Sequence, residues 1–263
     1  YASSMREAVK AEIVTLPFGS KKMCTTRAIW QKIRFIEDGI ALLAAENDGE
    51  DGDEPTDWDT TFGEHCGGLT FNEQQREACT GIFENVGLAI TGGAGTGKTT
   101  VIAAMNSALM AQGTMVYNLA FSGKAVKVLR DRLPERAHCY TLHRFLRVII
   151  HENDELDFDG AVIICDEASM VDIALFDELL RHVDATQSRV VFVGDPRQLP
   201  PVGLGAPFND LVAGIEAGRS TFPHVKLTTT NRYAEDMASF VGGIDNGVWK
   251  PPSSVKCFEL PAL

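Results

Sequence analysis

Ten residues in the first half of the chain read Thr91-Gly92-Gly93-Ala94-Gly95-Thr96-Gly97-Lys98-Thr99-Thr100. They contain the pattern Gly-x-x-x-x-Gly-Lys-Thr, which is typical of a loop that binds nucleotide phosphates. An apolar run, Leu88 to Thr91, comes immediately before the loop, and an amphipathic segment, Thr99 to Gln112, follows it. This order predicts a strand, a phosphate-binding loop and a helix whose positive N-terminal end faces the phosphates.

Two side chains of this loop have predicted chemical roles. Lys98 is expected to reach the β- and γ-phosphates of ATP, and the Thr99 hydroxyl group is expected to ligate Mg²⁺. ATP and Mg²⁺ are therefore the predicted ligands. The loop residues predicted to contact the nucleotide are Gly92, Gly93, Ala94, Gly95, Thr96, Gly97, Lys98, Thr99 and Thr100.

Short apolar runs alternate with helical patterns further along the chain. Apolar runs occupy 115–120, 162–165 and 189–193, and helical patterns occupy 124–133 and 172–183. Strands of this length that alternate with helices predict βαβ units and a parallel sheet buried on both faces. The predicted fold class is α/β, a P-loop NTPase with a parallel sheet flanked by helices and preceded by a short helical segment.

A second acidic position follows one of these apolar runs. The run Ala161-Val162-Ile163-Ile164-Cys165 ends in the pair Asp166-Glu167. Asp166 is placed to hold the Mg²⁺ shell, and Glu167 to orient or deprotonate an attacking water. Two acids at a strand end also occur in solvated turns. Together with the phosphate loop, they predict hydrolysis of ATP.

The 263 residues carry a formal net charge of −12, which argues against a surface that coats nucleic acid generally. The charge is unevenly distributed. Eight acids and no Lys or Arg lie between Glu46 and Asp59, in what reads as a solvated linker over 46–66. The window 121–147 has a net charge of +5. From charge alone, it is either the exposed face of one helix or a local track for nucleic acid.

Cysteine usage and hydropathy limit the cellular compartments in which the protein is expected. The six cysteines are scattered without a Cys-x-x-Cys pair, which favours reduced thiols in an intracellular protein over disulfides or structural zinc. No apolar run reaches the roughly 18 residues of a membrane span, and no leader pattern opens the chain. A protein of a reducing intracellular compartment (cytoplasm, nucleoid or nucleus), with no membrane partner, is expected.

Three further motifs occur in a fixed order. They read Asp166-Glu167-Ala168-Ser169-Met170, then Gly194-Asp195-Pro196-Arg197-Gln198-Leu199-Pro200-Pro201-Val202-Gly203, then Leu227-Thr228-Thr229-Thr230-Asn231-Arg232. This series resembles the RecD-like DNA helicases of superfamily 1, the B-type group, which includes the Dda-like phage helicases. The resemblance covers about Leu69 to Trp249. It implies a RecA-like motor lobe that couples ATP hydrolysis to 5′ to 3′ translocation on single-stranded DNA and to duplex unwinding.

The resemblance assigns further residues to the nucleotide site. Within 69–78, which resembles the Q motif, Gln75 would read the adenine edge, with Gln74 as the alternative register. Gln198 would sense the γ-phosphate. Arg232 resembles an arginine that stabilises the transferring phosphoryl group, although it could also be an ordinary surface residue. The predicted catalytic set is Lys98, Glu167, Gln198 and Arg232.

The resemblance also places contacts to single-stranded DNA in the basic window. Segments 120–125 and 141–146 correspond to two DNA-contacting motifs of the family. Hydroxyl groups, a glycine backbone and basic side chains suit phosphate binding without sequence readout. Phe121 could stack on a base or pack in the core. The predicted DNA contacts are Ser122, Gly123, Lys124, Thr141, His143 and Arg144.

Four parts make up the predicted domain organisation. They are an N-terminal helical segment (1–45), an acidic linker (46–66), a RecA-like ATPase lobe (67–248) and the start of a second lobe (249–263). Within the first lobe, 148–159 read as a short hairpin, either a strand-separating pin or an inert connector. The apolar stripe of the N-terminal helix is Ile29, Ile33, Ile36, Ile40 and Leu43.

Helicase motors of this family hold ATP between two RecA-like lobes, and the motifs present specify only one. The chain is therefore expected to be a fragment of a larger helicase that binds Mg-ATP weakly, hydrolyses it slowly and does not unwind DNA alone. Predicted partners are single-stranded DNA, duplex junctions, the second lobe and nuclease-helicase subunits, with roles in DNA repair and recombination. Two alternatives stay open: a P-loop ATPase that remodels without unwinding, and a RecD-like non-autonomous subunit of a nuclease-helicase complex.

Overall fold

A computed structural model describes residues 13–18, 21–44, 62, 70–149 and 158–229. Its strands are β1 (Ile13–Phe18), β2 (Lys21–Thr26), β3 (Gly87–Gly92), β4 (Val116–Ala120), β5 (His138–Thr141), β6 (Val162–Asp166), β7 (Arg189–Gly194) and β8 (His224–Leu227). Its helices are α1 (Arg27–Leu43), α2 (Glu73–Glu84), α3 (Lys98–Ala111), α4 (Gly123–Arg130), α5 (Leu142–Arg144), α6 (Ile173–Thr186) and α7 (Pro207–Glu216).

Six strands form one sheet in the order β5-β4-β6-β7-β3-β8, and every neighbouring pair is parallel. Ala120 pairs with Thr141 on one side and with Asp166 on the other, and Thr91 pairs with Gly194. The carboxyl ends of the strands therefore lie side by side along one edge of the sheet. The predicted α/β class, with a parallel sheet flanked by helices and preceded by a helix, is confirmed.

Both faces of the sheet are buried, which explains the continuous apolar runs of its strands. Along β6, Val162 and Ile164 face a core that contains residues of α2, α3 and α4. Ile163 and Cys165 face a second core, formed with α1, α6 and α7. Because successive side chains of a strand point to opposite faces, a run of five apolar residues supplies both cores.

The N-terminal helix α1 packs on α6 as part of the same lobe. Asp177 of α6 is almost fully buried and accepts hydrogen bonds from Lys32 Nζ at 2.6 Å and from Arg181 Nη2 at 2.8 Å. The guanidinium of Arg181 also lies 3.9 Å from the ring centroid of Phe35. Burial raises the pKa of Asp177, but its bonds to Arg181 and Lys32 outweigh burial, so the pKa is lowered overall.

Two parts of the predicted organisation need correction. The N-terminal segment is not only helical, because β1 and β2 form an antiparallel pair before α1. The first arm of the predicted hairpin is also wrong at its start, because Phe145–Ile149 forms a π-helical turn instead of a strand. This turn places Phe145 and Leu146 in the core, so packing overrides the strand-like apolar run.

Several predicted segments lie outside the described residues. These include 150–157 of the hairpin, the start of the second lobe at 249–263, and the acidic linker except for Phe62. The domain boundaries therefore stay predictions. No helix among the described residues is long and apolar enough to cross a bilayer.

We expect Asp177→Ala to lower the free energy of unfolding by about 2 kcal/mol, because it removes a buried acceptor shared by two cations. Urea unfolding measures this loss. Asp38→Ala is the control, since Asp38 lies on α1 but its side chain is 74% exposed and 3.9 Å from Arg34.

Because the pKa of Asp177 is lowered, its contribution to the free energy of unfolding is complete above the ordinary pKa of 3.8 and is lost in more acidic solution. An equal effect of the two substitutions at neutral pH would contradict the role of Asp177 in holding α1 against α6.

Candidate nucleotide and nucleic-acid site

The phosphate loop connects β3 to α3 through two left-handed glycines. Gly95 has a φ of 82° and Gly97 a φ of 90°, values that other residues adopt at a cost. A side chain at Gly92 would also place a Cβ 2.5 Å from Thr96 Oγ1, the atom that donates to the Gly93 carbonyl at 3.0 Å. The glycines therefore allow the loop to curl tightly in front of α3, as the sequence pattern predicts.

Helix α3 presents its N-terminus to this loop without a side-chain cap. Its N-cap residue is Gly97, so no side chain accepts from the first N–H groups of the helix. Lys98 Nζ lies across the loop and donates to the carbonyl oxygens of Gly92 at 2.6 Å and Gly93 at 2.9 Å. Uncapped N–H groups and an ammonium group together form a cradle for an anion. Ala94 is exposed in the loop, and Thr99 and Thr100 belong to the first turn of the helix.

The acidic pair lies at the carboxyl end of β6. Asp166 is the last residue of the strand, and Glu167 follows in a left-handed conformation with a φ of 56°. The Glu167 N–H donates to Asp166 Oδ1 at 2.8 Å. Burial, and to a lesser extent the charge of Glu167, raises the pKa of Asp166 to about 6, although that hydrogen bond and the charge of Lys98 oppose the shift.

The Glu167 carboxylate is held from the neighbouring strand. Its Oε2 accepts from the Ser122 N–H at 3.1 Å and from the Ser122 hydroxyl at 3.0 Å. Ser122 follows β4, which pairs with β6. The sequence did not predict this contact, because it depends on which strand lies beside β6.

The two glutamines of the Q motif occupy different environments. Gln75 is buried and forms a capping box with Asn72 at the start of α2. Its Nε2 also donates to the Thr96 carbonyl at 3.1 Å, so Gln75 lies directly against the phosphate loop. Gln74 instead accepts from the N–H and hydroxyl groups of Thr228, after β8. The geometry places Gln75, and not Gln74, beside the phosphate loop, and the contact of Gln75 with adenine stays a prediction.

The turn after β7 adds a basic residue that the sequence analysis missed. The Arg197 guanidinium lies against the phosphate loop, since a Cβ built on Gly93 would be 2.8 Å from Arg197 Nη2. Asp195, which is buried, orients it through a bond from Nε at 3.5 Å. Gln198 is exposed in the same turn, and its N–H donates to the Asp195 carbonyl. A basic residue inside the Gly-Asp-x-x-Gln motif was the available signal.

Arg232 lies outside the described residues, and its role stays a prediction. No group of three or more His, Cys, Asp or Glu side chains that could hold a metal ion occurs within the described ranges.

Two helix N-termini lie next to each other at the ends of β4 and β5. Ser122 caps α4 by accepting from the Ala125 N–H at 3.2 Å, and Thr141 caps α5 by accepting from the Arg144 N–H at 3.3 Å. The exposed residues around these N-termini are Gly123, Lys124, His143 and Arg144. The predicted DNA contacts are thereby brought onto one surface, which we call the basic edge.

Phe121 lies between the basic edge and the core. Its ring is 5.7 Å from that of His143 in an edge-on arrangement, and its side chain packs against the second core. This geometry supports the packing interpretation of Phe121 over base stacking.

A family model described as AAA domain, AAA_30, matches residues 70–249, which is more than half of the chain. The chain belongs to the AAA_30 family. The RecBCD enzyme subunit RecD of Mycolicibacterium smegmatis is 32% identical to this AAA domain over 209 residues, 68% of the chain and 36% of that protein. The ATP-dependent RecD2 DNA helicase of Deinococcus radiodurans is 36% identical over 152 residues, 56% of the chain and 20% of that protein.

The fold of this AAA domain is similar to that of Pif1 helicase from Candida albicans, with a TM-score of 0.52 and 19% identity over 70% of this chain and 46% of that one. The RecA-like, Pif1-like fold is thus established, and the RecD-like resemblance is confirmed. The chain spans well under half of the curated relatives described above. It is a P-loop domain of the superfamily 1 helicase type, and its motif implies nucleotide binding.

We expect Asp166→Asn to stabilise the nucleotide-free domain at pH 8 by up to about 3 kcal/mol, because a pKa raised from 3.8 to about 6 makes the buried carboxylate costly to ionise. Asn keeps the acceptor for the Glu167 N–H. The raised pKa means that the cost is absent below the ordinary pKa of 3.8 and complete above about 6.

Thermal unfolding across this pH range measures the effect of Asp166→Asn. The exposed Asp131→Asn is the control and should change stability little at either end. A constant difference between Asp166→Asn and wild type from pH 4 to pH 8 would contradict the assignment of the raised pKa to Asp166.

Proposed function

We propose that this domain binds and hydrolyses Mg-ATP and uses the reaction to move along single-stranded DNA and unwind duplexes, in the 5′ to 3′ direction that the RecD-like resemblance implies. One observation carries the proposal: a single edge of the sheet holds the phosphate loop, the acidic pair and the basic edge. The related protein of Deinococcus radiodurans is named an ATP-dependent RecD2 DNA helicase, and this relationship supports the same function.

The phosphate cradle fits a nucleoside triphosphate. The uncapped N-terminus of α3 offers N–H groups to phosphate oxygens, and Lys98 can exchange the carbonyls of Gly92 and Gly93 for the β- and γ-phosphates. Thr99 and Asp166 would hold Mg²⁺, which proteins usually bind through one or two side chains and substrate phosphates. When bound, Mg²⁺ would neutralise phosphate charge. Ionised Asp166 is the form that suits this role, and Lys98 favours it.

Glu167 is the proposed proton acceptor in hydrolysis. It takes a proton from the attacking water, whose oxygen forms a bond to the γ-phosphorus. The bond between that phosphorus and the β–γ bridging oxygen breaks, and ADP leaves with the electron pair. Gln198 and Arg232 are proposed to sense and stabilise the transferring group, and Arg197 adds a cation beside Gly93.

The basic edge is proposed to bind DNA phosphates. Lys124, His143 and Arg144 are exposed, and Lys124 lies at the N-terminus of α4; basic side chains and helix N-termini both attract anions. Contacts to phosphates carry no sequence information, so binding independent of sequence is expected.

A RecD-like role as one subunit of a nuclease-helicase complex is the second candidate. The observation in its favour is that the relative matching 68% of this chain is a RecBCD enzyme subunit. Strand displacement by the purified full-length protein alone supports an autonomous helicase. Displacement that requires a co-purified partner supports the subunit role.

Lys98→Ala should abolish ATP hydrolysis by the full-length protein and weaken binding of a fluorescent ATP analogue at least tenfold, about the value of one charge-assisted hydrogen bond. Its folding should be unaffected, which circular dichroism can verify. Lys127→Ala removes the same charge from an exposed position and is the matched control. Wild-type turnover by Lys98→Ala would refute the site.

The double variant Lys124→Ala/Arg144→Ala should weaken binding to oligothymidylate and reduce the salt dependence of its affinity by about 0.7 for each lost phosphate contact. Fluorescence anisotropy at several salt concentrations measures both. The control is Arg132→Ala/Arg136→Ala, which removes two charges between α4 and β5, at the opposite edge of the sheet. Equal losses of affinity in the two double variants would mean that DNA binds through general charge attraction, which would contradict the basic edge as its binding site.

A further inference from the structure

Gly93 lacks the usual reasons for a glycine in a phosphate loop. The pattern Gly-x-x-x-x-Gly-Lys accepts any residue at its position. Its φ is not positive, unlike those of Gly95 and Gly97. A Cβ built on Gly93 would instead lie 2.8 Å from Arg197 Nη2 and 4.0 Å from Asp195 Oδ2. The lack of a side chain at Gly93 therefore makes room for the Arg197 guanidinium.

Asp195 holds the guanidinium in this place. Its side chain is only 9% exposed, and its Oδ1 accepts from Arg197 Nε at 3.5 Å and from the Arg197 N–H at 3.1 Å. The Nε atom of Arg197 thus faces Asp195, while Nη2 faces the phosphate loop. The Arg197 side chain is still 55% exposed, so a ligand in the loop can reach it.

The strand order places Arg197 between two parts of the nucleotide site. Strand β7, which leads into the Arg197 turn, lies between β6 and β3 in the sheet. The acidic pair follows β6 and the phosphate loop follows β3. In the proposed hydrolysis, Glu167 acts on a water that attacks the γ-phosphorus, and the loop holds the phosphates. The terminal phosphate must therefore lie between these two parts, on the side from which Arg197 approaches.

Two cations meet at Gly93 from different elements. Lys98 Nζ, from α3, donates to the Gly93 carbonyl at 2.9 Å, and Arg197 approaches the position of the missing side chain. A guanidinium is planar and permanently charged, and its fork of N–H groups matches the oxygens of a phosphate. A triphosphate carries more negative charge than a diphosphate, so a cation at this point favours the triphosphate.

We propose that Arg197 is a specificity-determining residue that contacts the terminal phosphate of a nucleoside triphosphate. Asp195 is its positioning residue, and the lack of a side chain at Gly93 gives it access to the loop. This inference rests on the proposed nucleotide site. It adds to that site a charged contact, beside the one predicted for Gln198, that distinguishes a triphosphate from a diphosphate.

The test is equilibrium binding to the full-length protein in Mg²⁺, with ADP and the non-hydrolysable analogue AMP-PNP each competing against fluorescent ADP. Arg197→Ala should raise the dissociation constant of AMP-PNP by about tenfold or more, the value of a charge-assisted hydrogen bond. The dissociation constant of ADP should stay within about twofold of wild type. Arg197→Lys keeps the charge without the planar fork and should restore part of the affinity for AMP-PNP.

Gly93→Ala tests the same contact from the side of the loop. The added Cβ would displace Arg197 Nη2, which is the far end of a flexible side chain, so the fold should persist. Gly93→Ala should weaken AMP-PNP more than ADP. Combined with Arg197→Ala, it should cause little further loss of selectivity, because both changes remove one contact. Selectivity losses that multiply in the double variant would contradict the link between the two residues.

Arg219→Ala is the matched control for charge. Arg219 is exposed in the turn between α7 and β8. Phe222 of the same turn lies against Gly87, at the start of β3 and thus at the end of that strand away from the phosphate loop. Arg219→Ala should leave both dissociation constants unchanged. Thermal unfolding of every variant verifies that it is folded.

The results separate this inference from the proposed function. If Arg197→Ala leaves both dissociation constants unchanged, or raises them by the same factor, Arg197 has no selective contact with the terminal phosphate and the inference is overturned. The proposed nucleotide site stands in either case, provided that the wild type binds both nucleotides. If the wild type binds neither AMP-PNP nor ADP, the proposed site fails, and this inference fails with it.

Discussion

All six strands of the main sheet run in the same direction, and the rest of the structure depends on this constraint. Because the strands are parallel, their carboxyl ends meet at one edge. The phosphate loop, the acidic pair and the two helix N-termini of the basic edge are separated by dozens of residues in the sequence. They become neighbours only because each crossover helix returns the chain to the opposite edge. The nucleotide and the proposed DNA track therefore share one surface.

The strands that could be predicted from the sequence are those whose burial on both faces requires apolar residues. The apolar runs that become β3, β4, β6 and β7 are long enough to be recognised directly, and the glycine pattern of the phosphate loop is local in sequence. Strands β5 (His138–Thr141) and β8 (His224–Leu227) were missed, since short strands with polar residues have no distinct pattern. Residues 148–149 were also misread, because packing of an apolar run there favours a π-helical turn.

In the candidate site, too, features that are local in sequence could be predicted and contacts between distant segments could not. Lys98, Asp166 and Glu167 could be identified because their motifs are local in sequence. The Ser122–Glu167 bonds and the approach of Arg197 to Gly93 could not, since both depend on the lateral order of strands. The site also contains features that weaken the free domain, including a buried acid with a raised pKa and a left-handed glutamate. Such features are typical of positions selected for chemistry over stability.

The proposed motor function requires that the nucleotide site and the basic edge be energetically coupled. The most direct test measures the affinity of the full-length protein for a labelled oligothymidylate, with and without Mg²⁺ and a non-hydrolysable ATP analogue at saturation. Coupling between the two sites predicts that the two dissociation constants differ by a factor of about five or more. Identical dissociation constants, with the analogue shown to be bound, would contradict the account.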